Sequence, residues 1–426
     1  MLLSLTISLI VLLIVGVPIA FALGLAGVIA LLINGQVPIV VLAQKVYGSL
    51  DSFPLLAIPL FIYAGAVMNE GGITARIVDL ARALVGHMRG GLGQVVIFTS
   101  LVFSSISGSA AAAAAAVGGM LLPSMKREGY DEAWSATIVA SAAILGPIIP
   151  PSILMVIYSS MTGQSVGALF LAGVMPGLLI TGALMLMTWL LAGRMGASAQ
   201  RKATLSEIGR AFLRAMPALV MPIIIIAGIL SGVFTATEAG VIALAYGIGY
   251  GFLTGELDLR TLLEQTLSAA VVSSSILIIL GGAALFSWIL TREGVPAQAA
   301  AFMQSWVSSP AGFMLVLLVL LFVVGIFIEP IPALIMLVPV LLPIAAAYQI
   351  DPVHLAVVIT VGVLLGSLSP PVAVLVLIAC KIAGIDARRT NRPLIPMFAA
   401  LMLVHLIIAF WPELSTWLPR AAGYRS

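Results

Sequence analysis

The chain has 426 residues, of which 62% are hydrophobic and only 8% are charged. A soluble protein carries roughly 25% charged residues, so this composition excludes a water-soluble fold and predicts an all-α polytopic protein embedded in a lipid bilayer. The net charge of +3 offers no basic patch for a nucleic acid, and we expect no such partner. Apolar stretches of about the 20 residues needed to cross a bilayer recur along the whole chain.

The N-terminal segment 1–34 is interrupted at Gly16-Val17-Pro18, and its second part contains the hexamer AGVIAL, which returns at 239–244. In the second position the hexamer lies in a helix of its own. Two short tilted crossings are therefore favoured for 1–34, with a single long helix as the alternative. Residues 35–50 are expected to be a short connection with one charge, Lys45, before an apolar helix over 51–71.

Residues 73–89 interleave Arg76, Asp79 and Arg82 with apolar side chains. This pattern predicts an amphipathic helix at the membrane surface, because the segment is too polar to cross the bilayer. Its counterpart in the second half is expected at 294–308.

Two re-entrant hairpins are predicted at 91–124 and 311–346. The first is broken at the serine-rich run 104–109, and the second at 325–332, which contains Glu329 and two prolines. Each arm has about 15 residues and would span roughly 22 Å, less than the roughly 30 Å of the hydrocarbon core. Irregular backbone at that depth is tolerated only where it lines a protein or water-filled cavity.

Each hairpin is followed by a helix with a central break. The first runs over 134–163 and is interrupted by 146–151, and the second runs over 353–384 and is interrupted by 366–371; both breaks begin with glycine and end with two prolines. Because proline removes a backbone donor and clashes with the preceding turn, the helix should unwind locally.

The hairpins and broken helices repeat with a constant offset of 220 residues. The matching features are Leu121-Leu122-Pro123 with Leu341-Leu342-Pro343, Asp131 with Asp351, Leu145-Gly146 with Leu365-Gly366, Pro150-Pro151 with Pro370-Pro371, and Pro176 with Pro396. An internal repeat of broken apolar helices is typical of secondary transporters, whose binding sites lie at the breaks. Arginine and lysine residues flank the first hairpin, whereas the loop 348–352 carries only Asp351. The positive-inside rule then places the two halves in opposite orientations, as inverted copies.

The four breaks supply the candidate ligands. A broken helix exposes carbonyls that suit a cation and N–H groups that suit a carboxylate, and hydroxyls are added at Ser104, Ser105, Ser107 and Ser109 and at Ser367 and Ser369. Small residues that only permit close helix packing are the alternative. Glu329 is expected deep in the membrane, where a carboxylate is usually functional. It would bind Na⁺, exchange a proton or cap the second arm, whereas Glu238 is interpreted as a helix cap.

No glycine-rich phosphate-binding loop precedes any of the four lysines, and no nucleophile or metalloprotease motif is present. We therefore expect no enzymatic activity, and the energy for transport should come from an ion gradient or from another chain.

The sequence resembles the large membrane subunit of tripartite ATP-independent periplasmic (TRAP) transporters. The resemblance rests on DSFPLLAIPLF at 51–61, MNEGG at 68–72, FSSISGS at 103–109, ILGPIIPPS at 144–152 and GVMPG at 173–177. The second half is looser but keeps Glu329-Pro330 and Pro370-Pro371. At the position of Glu329 the family more often has aspartate, so this sequence departs from the family pattern there.

The resemblance implies Na⁺-driven uptake of an organic acid across the bacterial inner membrane. It implies a periplasmic substrate-binding protein and a small four-helix membrane subunit, which we expect to be a separate chain. It also implies two Na⁺ sites, one at Ser104, Ser107 and Gly146 and the other at Gly325, Glu329 and Gly366.

We hypothesise an elevator-type mechanism in which the two hairpins and broken helices, 91–163 and 311–384, move against a scaffold of 1–90, 164–310 and 385–426. The acid would bind near Ser107, Gly108, Ser109, Pro150, Ser367, Ser369 and Pro370. About ten transmembrane helices accompany the two hairpins in this architecture. A stand-alone Na⁺/dicarboxylate symporter and a membrane scaffold without transport activity are the alternatives.

Overall fold

The computed structural model describes residues 1–196, 200–370 and 372–424, so Pro371 of the second double proline lies outside the described residues. The described chain folds into twenty α-helices joined by short turns. Among the described residues, eight segments are long and apolar enough to cross a membrane, as the composition predicts.

The first ten helices run from residue 2 to residue 191. They are α1 (Leu2–Ile14), α2 (Ile19–Asn34), α3 (Val40–Leu50), α4 (Ala57–Glu70), α5 (Ile73–Val85), α6 (Gly91–Ser107), α7 (Ala110–Arg127), α8 (Glu132–Ala143), α9 (Ile153–Thr162) and α10 (Val166–Leu191). A short 3-10 helix, Phe53–Leu56, precedes α4.

Ten further helices complete the chain. They are α11 (Leu205–Leu230), α12 (Ala236–Thr254), α13 (Leu259–Arg292), α14 (Val295–Trp306), α15 (Pro310–Phe327), α16 (Pro330–Ala347), α17 (Pro352–Gly366), α18 (Val374–Ala383), α19 (Asn391–Phe410) and α20 (Glu413–Ala421).

The N-terminal segment forms two helices, α1 and α2, which separate at 15–18 and pack against each other. The two-helix interpretation of 1–34 is therefore confirmed. The expectation that 35–50 is only a connection is wrong, because most of this segment is helix α3, which packs against α13. This short helix does not show as an apolar stretch in the sequence, because it contains the polar residues Gln44, Lys45 and Ser49.

The predicted hairpins and broken helices are present, with different break widths. The first hairpin is interrupted only at Gly108 and Ser109, and the second only at Ile328 and Glu329, so Ser104 and Ser107 are still helical. The first broken helix is irregular over a longer stretch than predicted, 144–152, and the second is interrupted between Gly366 and Val374. Proline at the first position of α16 is compatible with a helix, because its missing N–H would have no partner there.

The offset of 220 residues carries over to the helix ends. The first arms end at Ser107 and Phe327, and the second arms begin at Ala110 and Pro330. The broken helices are also capped alike. Asp131 accepts hydrogen bonds from the backbone N–H groups of residues 133 and 134, and Asp351 accepts them from residues 353 and 354.

The two broken helices run antiparallel, as an inverted repeat requires. At one end, Glu132 at the start of α8 pairs with Lys126 at 2.6 Å and with Arg389, which follows α18, at 3.5 Å. At the other end, the Tyr158 hydroxyl in α9 donates to the Pro352 carbonyl at the start of α17, at 2.7 Å. The start of each broken helix therefore lies beside the end of the other.

Candidate functional site

All four helix breaks meet at one cavity of about 170 Å³, which we call the central cavity. Its walls include the first residues of four helices, α7, α9, α16 and α18. The lining residues are Gly108, Ser109, Ala110, Ala111, Pro147, Ile153, Leu154, Glu329, Pro330, Ile331, Leu364, Ser367, Val374 and Leu375. The fold thus brings together breaks that lie more than 200 residues apart in the chain.

The first hairpin tip is in backbone contact with the first broken helix. A Cβ added to Gly146 would lie 2.7 Å from the carbonyl oxygen of Ser109 and 2.9 Å from the nitrogen of Ala110. Gly108 has φ +60°, and a Cβ there would lie 2.6 Å from the Pro151 carbonyl oxygen. Glycine is required at both positions because any side chain would separate the tip from the break.

The second hairpin contacts the second broken helix in the same close manner. A Cβ on Gly366 would lie 2.4 Å from the Cα of Gly325 and 2.8 Å from the nitrogen of Ile326. The contact differs from the first one in position, because it involves the end of the first arm and not the start of the second. Gly146 and Gly366, one from each predicted Na⁺ ligand group, therefore each lie in close backbone contact with the neighbouring hairpin.

The hydroxyls of the first tip differ in their hydrogen bonding. Ser107 is buried, and its Oγ has no hydrogen-bond partner among the described residues. Ser104 donates to the Ser100 carbonyl and Ser105 to the Val102 carbonyl, both within α6. Ser109 caps α7 by accepting from the backbone N–H of residue 112, at 3.4 Å. A buried hydroxyl without a partner is costly, so Ser107 has the clearest capacity for a further ligand.

The other residues predicted to bind the acid do not all lie at the central cavity. Ser367 lines the central cavity and donates to the Leu364 carbonyl at 2.7 Å, whereas Ser369 is buried and lies 3.5 Å from the Leu365 carbonyl oxygen. Pro370 is exposed. Pro150 lines a separate small cavity toward α10 and α11 and does not reach the central cavity.

Glu329 lies at the second hairpin tip, is exposed and lines the central cavity. Although it is the N-cap residue of α16, its side chain makes no capping hydrogen bond, so the capping alternative is not realised in this structure. Glu238 does cap a helix, because it forms a capping box with Thr235 at the start of α12. Its carboxylate accepts from the Thr235 backbone N–H at 2.8 Å.

The described residues contain no group of three His, Cys, Asp or Glu side chains that could hold a metal ion. A cation at the central cavity would therefore rely on serine hydroxyls, backbone carbonyls and the single carboxylate of Glu329. Such oxygen ligands suit hard cations, whereas soft and late transition metals prefer thiolate and imidazole ligands.

The chain matches the family described as Tripartite ATP-independent periplasmic transporter, DctM component, over residues 6–414. This chain belongs to the TRAP transporter permeases. It is a multi-pass protein of the bacterial inner membrane, in agreement with the eight candidate spans found in the part of the chain that the structure describes.

Several known proteins are similar to this permease over nearly its whole length. The permease is 39% identical to the uncharacterized protein YgiK of Salmonella typhimurium, over 96% of this chain and 95% of that one. It is 35% identical to the sialic acid TRAP transporter large permease protein SiaM of Vibrio cholerae, over 96% of both chains. It is also 35% identical to the C4-dicarboxylate large permease protein DctM of Pseudomonas aeruginosa, over 94% of both chains.

The fold of the permease is similar to that of the Alcanivorax borkumensis YdaH transporter, whose crystal structure was described as having an unusual topology. The TM-score is 0.67 over 89% of this chain and 88% of that one, at 15% sequence identity. This likeness supports the all-helical inverted-repeat fold and carries no information on substrate.

Several residues of the permease cavity were not among the predicted ligands. Its apolar wall comes from Ile153, Leu154, Ile331, Leu364 and Leu375, which in the sequence look like lipid-facing residues. Two further buried hydroxyls without partners, Ser141 and Thr360, lie on the broken helices before their breaks. In the sequence each appears as a polar residue in an apolar helix, a few residues before Gly146 or Gly366.

Proposed function

We propose that this permease takes up an organic acid across the inner membrane and that Na⁺ entry drives the uptake. A periplasmic binding protein would deliver the acid, and a small membrane subunit would complete the complex. Membership of the TRAP family supports this division of labour. The names of similar permeases specify sialic acid, 2,3-diketo-L-gulonate and C4-dicarboxylate, and a related permease protein is named for isethionate.

The observation that carries the proposal is the convergence of four helix N-termini on the central cavity. The residues at the start of α7, α9, α16 and α18 all line it. Each N-terminus contributes a positive dipole end, and the starts of α7, α9 and α18 add backbone N–H groups, which α16 with Pro330 and Pro332 mostly lacks; both features favour a carboxylate or another acid group. All four named ligand types are anions, so the geometry and the relatives favour the same chemical class.

Na⁺ is proposed to bind beside this cavity, where the hairpin tips contact the broken helices. One site would use Ser104, Ser107 and Gly146, and the other Gly325, Glu329 and Gly366. The partnerless Ser107 hydroxyl supports the first site. The last carbonyls of α6 and α15 have no intrahelical partners and would supply further oxygen ligands.

The mobile unit of the proposed elevator consists of 91–163 and 311–384. The two parts are joined by the Tyr158 to Pro352 hydrogen bond and, at the other end, by the packing of α18 against α7 and α8. These connections favour movement of both halves as one body. Coupling follows if Na⁺ orders the tips and the acid binds well only to that ordered state.

Uptake by proteoliposomes tests the proposal. The permease is reconstituted with its small subunit, and labelled sialic acid, succinate, 2,3-diketo-L-gulonate and isethionate are offered separately with the binding protein. Accumulation of one acid that requires both the binding protein and an inward Na⁺ gradient supports the proposal. Accumulation without the binding protein favours a stand-alone symporter. An assembled complex that accumulates no acid contradicts the proposal and favours a scaffold role.

A further inference from the structure

A second cavity, which we call the outer cavity, lies between α3 and α13 on one side and α9 and α16 on the other. Its volume is about 520 Å³, within the range of small-molecule sites. Four hydroxyls line it, from Ser49, Ser52, Ser160 and Ser287. The side formed by α3 and α13 belongs to the proposed scaffold, whereas α9 and α16 belong to the proposed mobile unit.

The outer cavity lies next to the central cavity, toward the face that the sequence predicts to be external. Along α16, Ile331 lines the central cavity and Ile335 lines the outer one. Four residues of helix correspond to about 6 Å, so roughly one helical turn separates the two cavities. Further along the same helix, Leu342 still lines the outer cavity, and the chain then reaches Asp351 in the loop predicted to be external.

The outer cavity carries positive charge. Lys45 lines it, is exposed, and places its Nζ 5.7 Å from the centroid of the Trp288 ring. The Arg292 guanidinium lies 5.4 Å from the centroid of the same ring. Within the described residues no ion pair joins Lys45 or Arg292 to an acid.

The acidic residues of this region do not cancel that charge. Glu293 faces the N-terminal amino group at 3.6 Å, and Asp51 precedes Ser52 without lining the cavity. Lys45 is also the only charged residue among the first 50. Walls of low dielectric strengthen the field of such a charge and raise the local concentration of an anion.

We propose that the outer cavity is a second binding site for the organic acid, occupied before the acid reaches the central cavity. This inference rests on the proposed uptake function. The Lys45 ammonium, which lies over the Trp288 ring, binds the acid group. The hydroxyls of Ser49, Ser52, Ser160 and Ser287 bind the polar groups of the substrate. The distance of about one helical turn then lets the acid pass from one cavity to the other when the mobile unit moves.

The first test measures charge at the cavity without any substrate. Ser49→Cys is introduced into a Cys380→Ala background, and the thiol is reacted with a sulfonate-bearing and with a trimethylammonium-bearing methanethiosulfonate reagent. We expect Lys45→Gln to lower the ratio of anionic to cationic reaction rates by about fivefold or more, because one unit charge is removed close to the thiol. Lys45→Arg should preserve the ratio. A ratio unaffected by Lys45→Gln, or a thiol that reacts with neither reagent, overturns the inference.

The second test uses the acid that the wild-type complex accumulates. Lys45→Gln should raise the KM for uptake about fivefold at low salt with little change in maximal rate, and the difference should shrink at high salt because the charge is screened. Lys45→Arg should behave as wild type. Lys202→Gln, in the connection before α11, is the control for loss of one positive charge. An unchanged KM in an active Lys45→Gln complex overturns the inference and leaves the proposed function intact, whereas an inactive wild type contradicts the proposed function itself.

Discussion

Gly366 and Gly325 place the second broken helix and the second hairpin in direct backbone contact. A Cβ on Gly366 would lie 2.3 Å from the carbonyl carbon and 2.4 Å from the Cα of Gly325. Neither glycine has an unusual φ, so the requirement for glycine is one of space and not of backbone conformation. The contact holds the second tip against the end of α17, beside the central cavity.

Gly366→Ala should therefore abolish uptake while the protein remains folded. The added methyl group must displace backbone atoms of α15, an overpacking that costs about 1–3 kcal/mol and opens the proposed Na⁺ site. Uptake in proteoliposomes and thermal unfolding in detergent measure the two effects. Gly119→Ala is the matched control, since a Cβ there has no neighbour within 4 Å and should leave uptake unchanged. Normal Na⁺-coupled uptake by the Gly366→Ala variant would show that this contact is not part of the Na⁺ site.

Ser107→Ala should weaken Na⁺ binding without destabilising the protein. Because the buried Ser107 hydroxyl has no partner, its removal should be neutral or stabilising by about 1 kcal/mol in the absence of Na⁺. The concentration of Na⁺ for half-maximal uptake should rise at least threefold. Ser105→Ala, whose hydroxyl bonds to the Val102 carbonyl at 2.6 Å, should change it little. Equal Na⁺ dependence in both variants would contradict the assignment of Ser107.

Glu329→Gln should alter Na⁺ dependence without lowering thermal stability. The Glu329 side chain makes no capping hydrogen bond, so its replacement breaks no such bond at the start of α16. We expect a lower Hill coefficient for Na⁺ in uptake assays, as one of two sites is weakened. Glu238→Ala, which removes the capping-box acceptor, offers the opposite result, a loss of about 1 kcal/mol in unfolding free energy with unchanged Na⁺ dependence. A Glu329 variant that is destabilised but normally coupled would indicate a structural role.

The repeat-related caps should contribute equally to folding. Asp131 and Asp351 each accept two backbone hydrogen bonds at the start of a broken helix, so alanine at either position should cost about 1–2 kcal/mol. Asparagine should restore most of the loss, because its side-chain oxygen caps as well. Asp351 also lies 3.4 Å from Arg420, but the Arg420 side chain is half exposed, so this ion pair should add little. Chemical denaturation in detergent gives the comparison, and unequal costs would show that the caps are not equivalent.

The sequence predicted the architecture better than the site. Proline and glycine at a fixed offset located both hairpins and both broken helices, because these residues limit helix formation through local backbone chemistry. The same chemistry does not determine where side chains of an irregular segment point. Pro150 therefore lies at a separate cavity, although it belongs to the same break as Pro147, which lines the central cavity.

Two other features depend on tertiary packing and could not be read from the pattern. Leu364 and Leu375 line the central cavity, yet in sequence they resemble leucines that face lipid. Helix α3 has 11 residues with polar positions among them, and it is held by packing against α13. A helix of this length is marginal by itself, so its own sequence carries a weak signal.

The most direct test of Na⁺-driven acid uptake is the simultaneous measurement of ²²Na⁺ and labelled acid in the same proteoliposomes. The vesicles contain the permease and its small subunit, and the loaded binding protein is added outside. We predict that ²²Na⁺ enters together with the acid in a fixed ratio and that both fluxes disappear in Gly366→Ala. Accumulation of the acid without any accompanying ²²Na⁺ entry would contradict the account.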